Sequence, residues 1–219
     1  MTGVIIGVES TAHTFSFGLV TEEGIPRKSY SALYRPEEGG IHPREAADHH
    51  SNLASQLISR LMEEENLVSN DVKAIAYSQG PGLGPCLRIG ANVSRALSEQ
   101  WEIPLVGVNH CVAHIEIGRN QTGCIDPVLL YVSGGNTQVI ARAGDRYQVL
   151  GETLDIGIGN MLDKFARTQG LAFPGGPKIE QLAREWHELN PEADVDLVEL
   201  PYSVQGMDLN FSGLLNAAI

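Results

Sequence analysis

Two distant stretches of this chain share one layout, and that repetition constrains the fold more than any other feature. Val128 to Ala143, VLLYVSGGNTQVIARA, is an apolar run, a four-residue turn and a second apolar run. Val4 to Val20 repeats the plan with VIIGVE, the turn-forming Ser10-Thr11-Ala12-His13-Thr14, and FSFGLV. In register, Val4-Ile5-Ile6-Gly7-Val8-Glu9 falls on Val128-Leu129-Leu130-Tyr131-Val132-Ser133. Two such hairpins imply a duplicated domain with ligand held between the copies. In the second copy, Gly134-Gly135-Asn136-Thr137 joins two residues that accept positive φ to two short polar side chains. With no Cβ in the way, its backbone amides can approach a phosphate. A turn of this kind also serves an ordinary tight hairpin; the second copy is what favours a phosphate cradle.

Read in order, Val4 to Glu9, Phe15 to Val20 and Arg27 to Tyr34 predict three consecutive antiparallel strands, the last two joined at Glu23-Gly24. From Pro43 the period becomes helical, with Ala46, Ala47, His50, Leu53, Ala54, Leu57, Ile58 and Leu61 on one face. A buried strand at Ala74 to Tyr77, a helix from about Pro85 to Gln100 and a strand at Leu105 to Val108 follow. Meander, helix, strand, helix, strand is the ribonuclease-H-like order of the actin and sugar-kinase architecture. The hairpin at Val128 restarts it, with strands near 128–132, 138–143 and 147–153, then helices from about Gly159 to Gln169 and Lys178 to Asn190. Glu192 to Asp196 reads as an acidic surface loop. The fold expected is therefore α/β, an actin-like pair of ribonuclease-H-like subdomains at 1–120 and 121–219. The second copy lacks its last strands and helices, and the chain is expected to be truncated.

With 219 residues and 42% hydrophobic content, the chain can bury one large or two small cores. No apolar run approaches the roughly 18 residues of a membrane span. The N-terminal MTGVIIGVES lacks the basic start of a secretory leader. Cys86, Cys111 and Cys124 are odd in number and unrelated in spacing, which indicates neither a disulfide framework nor a zinc ribbon and fits a reducing cytoplasm. Against 27 acidic residues stand 15 Lys and Arg, a net charge of −12 that argues against broad nonspecific binding to nucleic acid. Arg88 and Arg95, seven apart on one helix, supply either a local basic patch or ordinary solvated surface.

His110 and His114, four apart, share one helical face and can share a metal. They follow a strand end at the junction of the two expected subdomains, where ligand clefts occur. A zinc protease is excluded by chemistry, because its glutamate base stands beside the first histidine, whereas this chain reads His110-Cys111-Val112-Ala113-His114. The glycine-rich stretch from Gly80 to Gly90 lacks the Lys-Ser/Thr of a Walker loop; it suits an anion at a helix N-terminus or tight strand-to-helix packing. Asp163 can accept hydrogen bonds from a ribose if its helix lies beside the hairpin, and is otherwise a surface charge. Phe173-Pro174-Gly175-Gly176-Pro177 admits a flat ring or simply connects helices, with Glu180 expected in the first turn of the next helix.

Taken together, IGVESTAHT, SQGPGLGPCLRIG, VNHCVAH, YVSGGNTQ, LDKFAR, FPGGP and FSGL resemble the tRNA threonylcarbamoyladenosine transferase family, and VESTAHTFSFG is similar to its archaeal and eukaryotic branch. The resemblance implies transfer of a threonylcarbamoyl group from threonylcarbamoyl-adenylate to N6 of the adenosine beside the tRNA anticodon. It implies one divalent metal ion, Fe2+ or Zn2+, on His110, His114 and Tyr131, with no catalytic residue assigned beyond it. Tyr131, Val132, Ser133, Gly134, Gly135, Asp163, Gly176 and Glu180 would contact the adenylate, or ATP or AMP as the bound nucleotide. The implied partners are tRNA and, in the KEOPS complex, a small atypical protein kinase, fused to this protein in some archaea, and a small dimerising subunit; no membrane is implied. A later glycine-asparagine motif and a final metal-binding aspartate would fall beyond Ile219, so the chain is expected to bind metal poorly. From another class comes an actin-like nucleotide-binding scaffold for the kinase, which has no need of metal ligands.

Overall fold

Alternating burial along the first two strands builds the first half. In the computed structural model, which describes residues 3–36, 40–192 and 198–219, β1 (Val4–Glu9) and β2 (Thr14–Thr21) bury every second side chain on one face. They pair antiparallel from Val4 opposite Thr21 to Glu9 opposite Ser16. A turn with Gly24 at φ 81° leads into β3 (Pro26–Leu33), which pairs antiparallel with β2.

Helix α1 (Pro43–Glu64) starts with proline at its first turn, where no amide partner is needed. It presents Ala46, Ala47, His50, Ala54, Leu57 and Leu61 to the interior, the face predicted from the period. Its last turn is tied to β3, where the Tyr30 hydroxyl lies 3.1 Å from Glu64 Oε2 and 3.0 Å from Glu65 Oε1 and Lys28 pairs with Glu64 at 2.7 Å.

Next, β4 (Val72–Gly80) pairs parallel with β1, and after α2 (Gly84–Trp101) the chain lays β5 (Leu105–Asn109) parallel to β4. The sheet order is β3-β2-β1-β4-β5. Phe15, Phe17, Ile6 and Ile75 are fully buried with α1's Leu61 in one core, and Ile89, Val93 and Leu97 of α2 pack against it. Gly90 lies so close to β1's end that a Cβ would overlap the Ser10 hydroxyl, and Leu83 N–H donates to Thr11 O at 2.7 Å. Close packing on the first hairpin turn thus accounts for Gly82 and Gly90 in the glycine-rich stretch. Helix α3 (His110–Thr122) follows β5 directly.

The second half repeats the meander. Strands β6 (Leu129–Val132), β7 (Thr137–Ala143) and β8 (Arg146–Glu152) form an antiparallel sheet in that order. Helices α4 (Ile158–Thr168) and α5 (Gly175–Leu189) follow, then a short hairpin of β9 (Val204–Gln205) and β10 (Asp208–Leu209), and α6 (Ser212–Ala218). Residues 193–196 of the expected acidic loop lie outside the described residues. The chain divides into two compact units, Met1–Gln121 and Thr122–Ile219. The first is a ribonuclease-H-like α/β unit, and the second restarts the same plan, so the architecture is actin-like and duplicated. Among the described residues the second copy shows no counterpart of β4 and β5.

Two expectations are corrected. Helix α5 begins at Gly175 rather than near Lys178, because proline and glycine fit a first turn whose amides lack intrahelical partners. Glu180 consequently sits in the second turn, where it pairs with Arg184 at 2.8 Å.

Asp155 pins the start of α6. Its carboxylate accepts from Phe211 N–H at 2.8 Å, Ser212 N–H at 2.9 Å and Ile156 N–H at 2.6 Å. Burial pushes this carboxyl up, but the three amides outweigh it and hold it below the usual aspartate range. A depressed folded value stabilises fully above the unfolded pKa of about 4 and loses that contribution as pH falls further. Hydrogen exchange at Phe211 and Ser212 is therefore expected to speed up below about pH 4 relative to the second unit's sheet. Asp155→Asn should show that fast exchange already at neutral pH.

Candidate active site

Parallel pairing gathers the carboxyl ends of β1, β4 and β5 at one edge of the first sheet, the edge where open α/β sheets place ligands. Glu9 ends β1. Its Oε1 accepts from Thr11 N–H at 2.6 Å, and its Oε2 accepts from the Ser78 hydroxyl of β4. Asn109 ends β5 and caps α3, its Oδ1 accepting from Cys111 N–H at 2.9 Å and Val112 N–H at 3.2 Å. That cap starts α3 at His110, whose Nδ1 lies 3.1 Å from Glu9 Oε2. One turn on, His114 Nε2 lies 3.2 Å from His110 Nε2, and the next residue, Ile115, is buried at 2% exposure.

Electrostatics favour an ionised Glu9 and a neutral His114. Burial raises the Glu9 carboxyl, but hydrogen bonds from His110, Ser78 and Thr11 overcome it and hold it at about 2. Partial burial lowers His114, and the neighbouring His110 lowers it further, which favours the neutral ring with a lone pair. Metal–imidazole bonds run about 2.0–2.1 Å, so two ring nitrogens this close can both reach one ion. The donor set fits a borderline divalent metal such as Zn2+ or Fe2+. Among the described residues no group of three or more His, Cys, Asp or Glu comes together to hold an ion. Tyr131 belongs to the second unit; it stands in β6 opposite Gln138 and is buried.

The second hairpin turn forms without using the conformational freedom of its glycines. Neither Gly134 nor Gly135 takes positive φ. Ser133 instead closes the turn on itself, donating its N–H to Asn136 O at 2.8 Å while its hydroxyl accepts from Asn136 N–H at 3.0 Å. The carbonyls that point away are taken by α4: Gly159 N–H donates to Ser133 O at 3.2 Å and Asn160 N–H to Gly134 O at 3.1 Å. Ile158 N–H donates to the buried Thr137 hydroxyl at 2.9 Å. All three leading amides of α4 are thereby satisfied by the hairpin. A Cβ at Gly159 would come within 2.7 Å of Ser133 O, so glycine there is what permits this seat. Gly134 and Gly135 are exposed, and no hydrogen bond from their amides occurs among the described residues. Val132 is an exposed β6 residue beside them.

Asp163 and Gly176 lie on either side of one helix junction. Asp163 Oδ1 accepts from Gly175 N–H at 2.7 Å, supplying the leading amide of α5 with a partner. It is therefore half-buried and committed to α5 through one oxygen rather than a free surface charge. Gly176, in the first turn, and Glu180, in the second, are exposed or half-exposed positions of α5.

The sequence reading missed Glu9 and Ser78. The signal available was a carboxylate closing an apolar strand, but its partner His110 lies 101 residues away in the chain.

Residues 27–219 match the family described as tRNA N6-adenosine threonylcarbamoyltransferase, TsaD. The chain belongs to that family. Its relatives include the tRNA N6-adenosine threonylcarbamoyltransferase of Archaeoglobus fulgidus, 54% identical over 215 residues, covering 98% of this chain and 63% of that protein. A probable bifunctional tRNA threonylcarbamoyladenosine biosynthesis protein of Thermoplasma acidophilum is 53% identical over 216 residues, 99% of this chain and 39% of that protein. The Thermococcus sibiricus transferase is 51% identical, with 99% of this chain and 64% of that protein covered. The chain thus spans less than two thirds of the curated relatives it matches. Among solved structures, the ethanolamine utilization protein EutJ from Carboxydothermus hydrogenoformans is 15% identical with a TM-score of 0.47, covering 100% of this chain and 80% of that one. YeaZ from Pseudomonas aeruginosa is 15% identical with a TM-score of 0.47, covering 69% and 66%.

Thr137→Val keeps the shape of a buried residue while removing the acceptor of Ile158 N–H. Leaving that amide unpaired should cost the second unit about 1–3 kcal/mol. Urea unfolding followed by a probe in that unit measures the loss, and accelerated exchange at Ile158 assigns it to the first turn of α4.

Proposed function

We propose that the protein transfers a threonylcarbamoyl group from threonylcarbamoyl-adenylate to N6 of the adenosine beside the tRNA anticodon, releasing AMP. The observation that carries this reading is the His110–His114 pair, its ring nitrogens converged to 3.2 Å at the carboxyl edge of the first sheet in a member of this family. His110 and His114 would hold one divalent metal, Fe2+ or Zn2+, with Tyr131 carried over from the family as a further ligand. Such an ion, when bound, polarises a carbamoyl oxygen as a Lewis acid.

The exposed amides of Gly134 and Gly135 would receive the adenylate phosphate, and the contacts that lock Ser133, Asn136 and α4 together keep those amides preorganised for it. Beside them, Val132 would contact the same adenylate. Asp163, through the oxygen not committed to Gly175, would accept from a ribose hydroxyl, with Gly176 and Glu180 bordering the base. Attack of the N6 amine on the carbamoyl carbon forms the new C–N bond. The C–O bond to the phosphate breaks, AMP leaves with that electron pair, and the amine proton passes to solvent. Partners under this reading are tRNA, a small atypical kinase and a small dimerising subunit. Among the described residues no helix is long and apolar enough to cross a membrane.

Replacing both His110 and His114 by Ala in the complete complex should lower transfer to tRNA by at least 100-fold while leaving partner binding intact. Radiolabelled threonine incorporation and pull-down of the partners measure the two. Transfer at the parental rate would contradict the enzyme reading and favour a nucleotide-binding scaffold.

A further inference from the structure

Glu9 spends both oxygens on three donors drawn from three separate segments. Thr11 N–H holds Oε1; the Ser78 hydroxyl and His110 Nδ1 converge on Oε2. We propose that Glu9 is a positioning residue: by accepting Nδ1–H it holds His110 in the tautomer whose Nε2 lone pair faces Nε2 of His114, and so turns two imidazoles into one metal site. This rests on the reading that the pair binds a metal.

The chemistry follows from the donor inventory. An ionised carboxylate only accepts, so the nitrogen of His110 that faces it must donate. A neutral imidazole carries one N–H, and with that proton on Nδ1 the lone pair is on Nε2, which faces His114 Nε2 at 3.2 Å. Glu9 is not itself placed to share an ion with that lone pair, because it meets the opposite edge of the His110 ring. Its own orientation is set by groups that cannot drift. Thr11 donates through the main chain, and Ser78 is held beside β1's end by the pairing of Val8 with Tyr77. Carboxylates behind metal-binding histidines fix ring orientation and raise ligand basicity in this way.

Glu9→Gln keeps the shape and reverses one donor. Thr11 N–H demands an oxygen on its side, so the carboxamide NH2 faces Ser78 and His110. Nδ1 must then accept, the proton moves to Nε2, and the nitrogen facing His114 no longer offers a lone pair. Two-bond 1H–15N spectra of the 15N-histidine-labelled, chelator-treated protein at pH 8 read the tautomer, with His110→Asn assigning the signal. Competition against a chromogenic chelator reads Zn2+ affinity in the same samples.

The parent protein should show Nδ1–H at His110, and Glu9→Gln should show Nε2–H with Zn2+ affinity reduced roughly 10–100-fold. Ser78→Ala, which keeps the carboxylate, should preserve the parental tautomer. A parental His110 already protonated on Nε2 overturns the proposal without any variant. So does a Glu9→Gln protein that keeps Nδ1–H, or one that switches tautomer with unchanged Zn2+ affinity. If His110→Asn and His114→Ala both bind Zn2+ as the parent does, the metal reading itself fails; a tautomer switch in Glu9→Gln then separates that failure from the failure of Glu9 to orient the ring.

Discussion

Parallel hydrogen bonding of β1 to β4 and of β4 to β5 sets three strand ends side by side, and each polar contact of the candidate metal site depends on it. Glu9, Ser78 and Asn109 occupy those ends, so a carboxylate, a hydroxyl and a helix-capping amide face one small region. The cap starts α3 at His110, and the helical repeat then brings His114 round to the same face. Beneath this edge, the buried Ile6, Phe15, Phe17, Leu61 and Ile75 keep the strands from shifting against α1 and α2. Rigid scaffold below and short polar side chains above are the conditions for a preorganised site.

The second unit solves a different problem, with turn carbonyls and two side-chain oxygens. A helix N-terminus leaves leading amides without partners, and a tight turn leaves carbonyls pointing outward. Here the two needs cancel: Ser133 O, Gly134 O and the Thr137 hydroxyl serve Gly159, Asn160 and Ile158. The remaining turn amides, those of Gly134 and Gly135, are left on the exposed side. Asp163 repeats the device for α5 through Gly175. Polar satisfaction therefore explains why the glycines and short polar residues of YVSGGNTQ and FPGGP sit where they do, and it leaves two donors exposed.

Much of the fold was legible because it is written in periods. Alternation in β1 and β2 and the 3.6-residue repeat of α1 depend on neighbouring residues alone, and the repeated meander followed from them. The four-residue spacing of His110 and His114 was readable as one helical face. What escaped the sequence depends on contacts between distant segments. Glu9 looks like the end of a strand until β4 and α3 meet it. Gly134 and Gly135 can accept positive φ but do not use it, and nothing local reveals that α4 will take the turn's carbonyls. Pro177 reads as a barrier before a helix, yet it is accommodated in the first turn of α5, where no amide is required. Asp163 looks like a surface charge until Gly175, 12 residues along the chain, donates to its Oδ1.

Zinc K-edge X-ray absorption on the zinc-loaded protein tests the central claim directly, because it reports which atoms surround the ion. Two imidazole nitrogens at about 2.0–2.1 Å, with oxygen completing the shell, are predicted. A shell containing sulfur at about 2.3 Å, or one with oxygen and no imidazole, would contradict the assignment of His110 and His114 as the metal-binding pair.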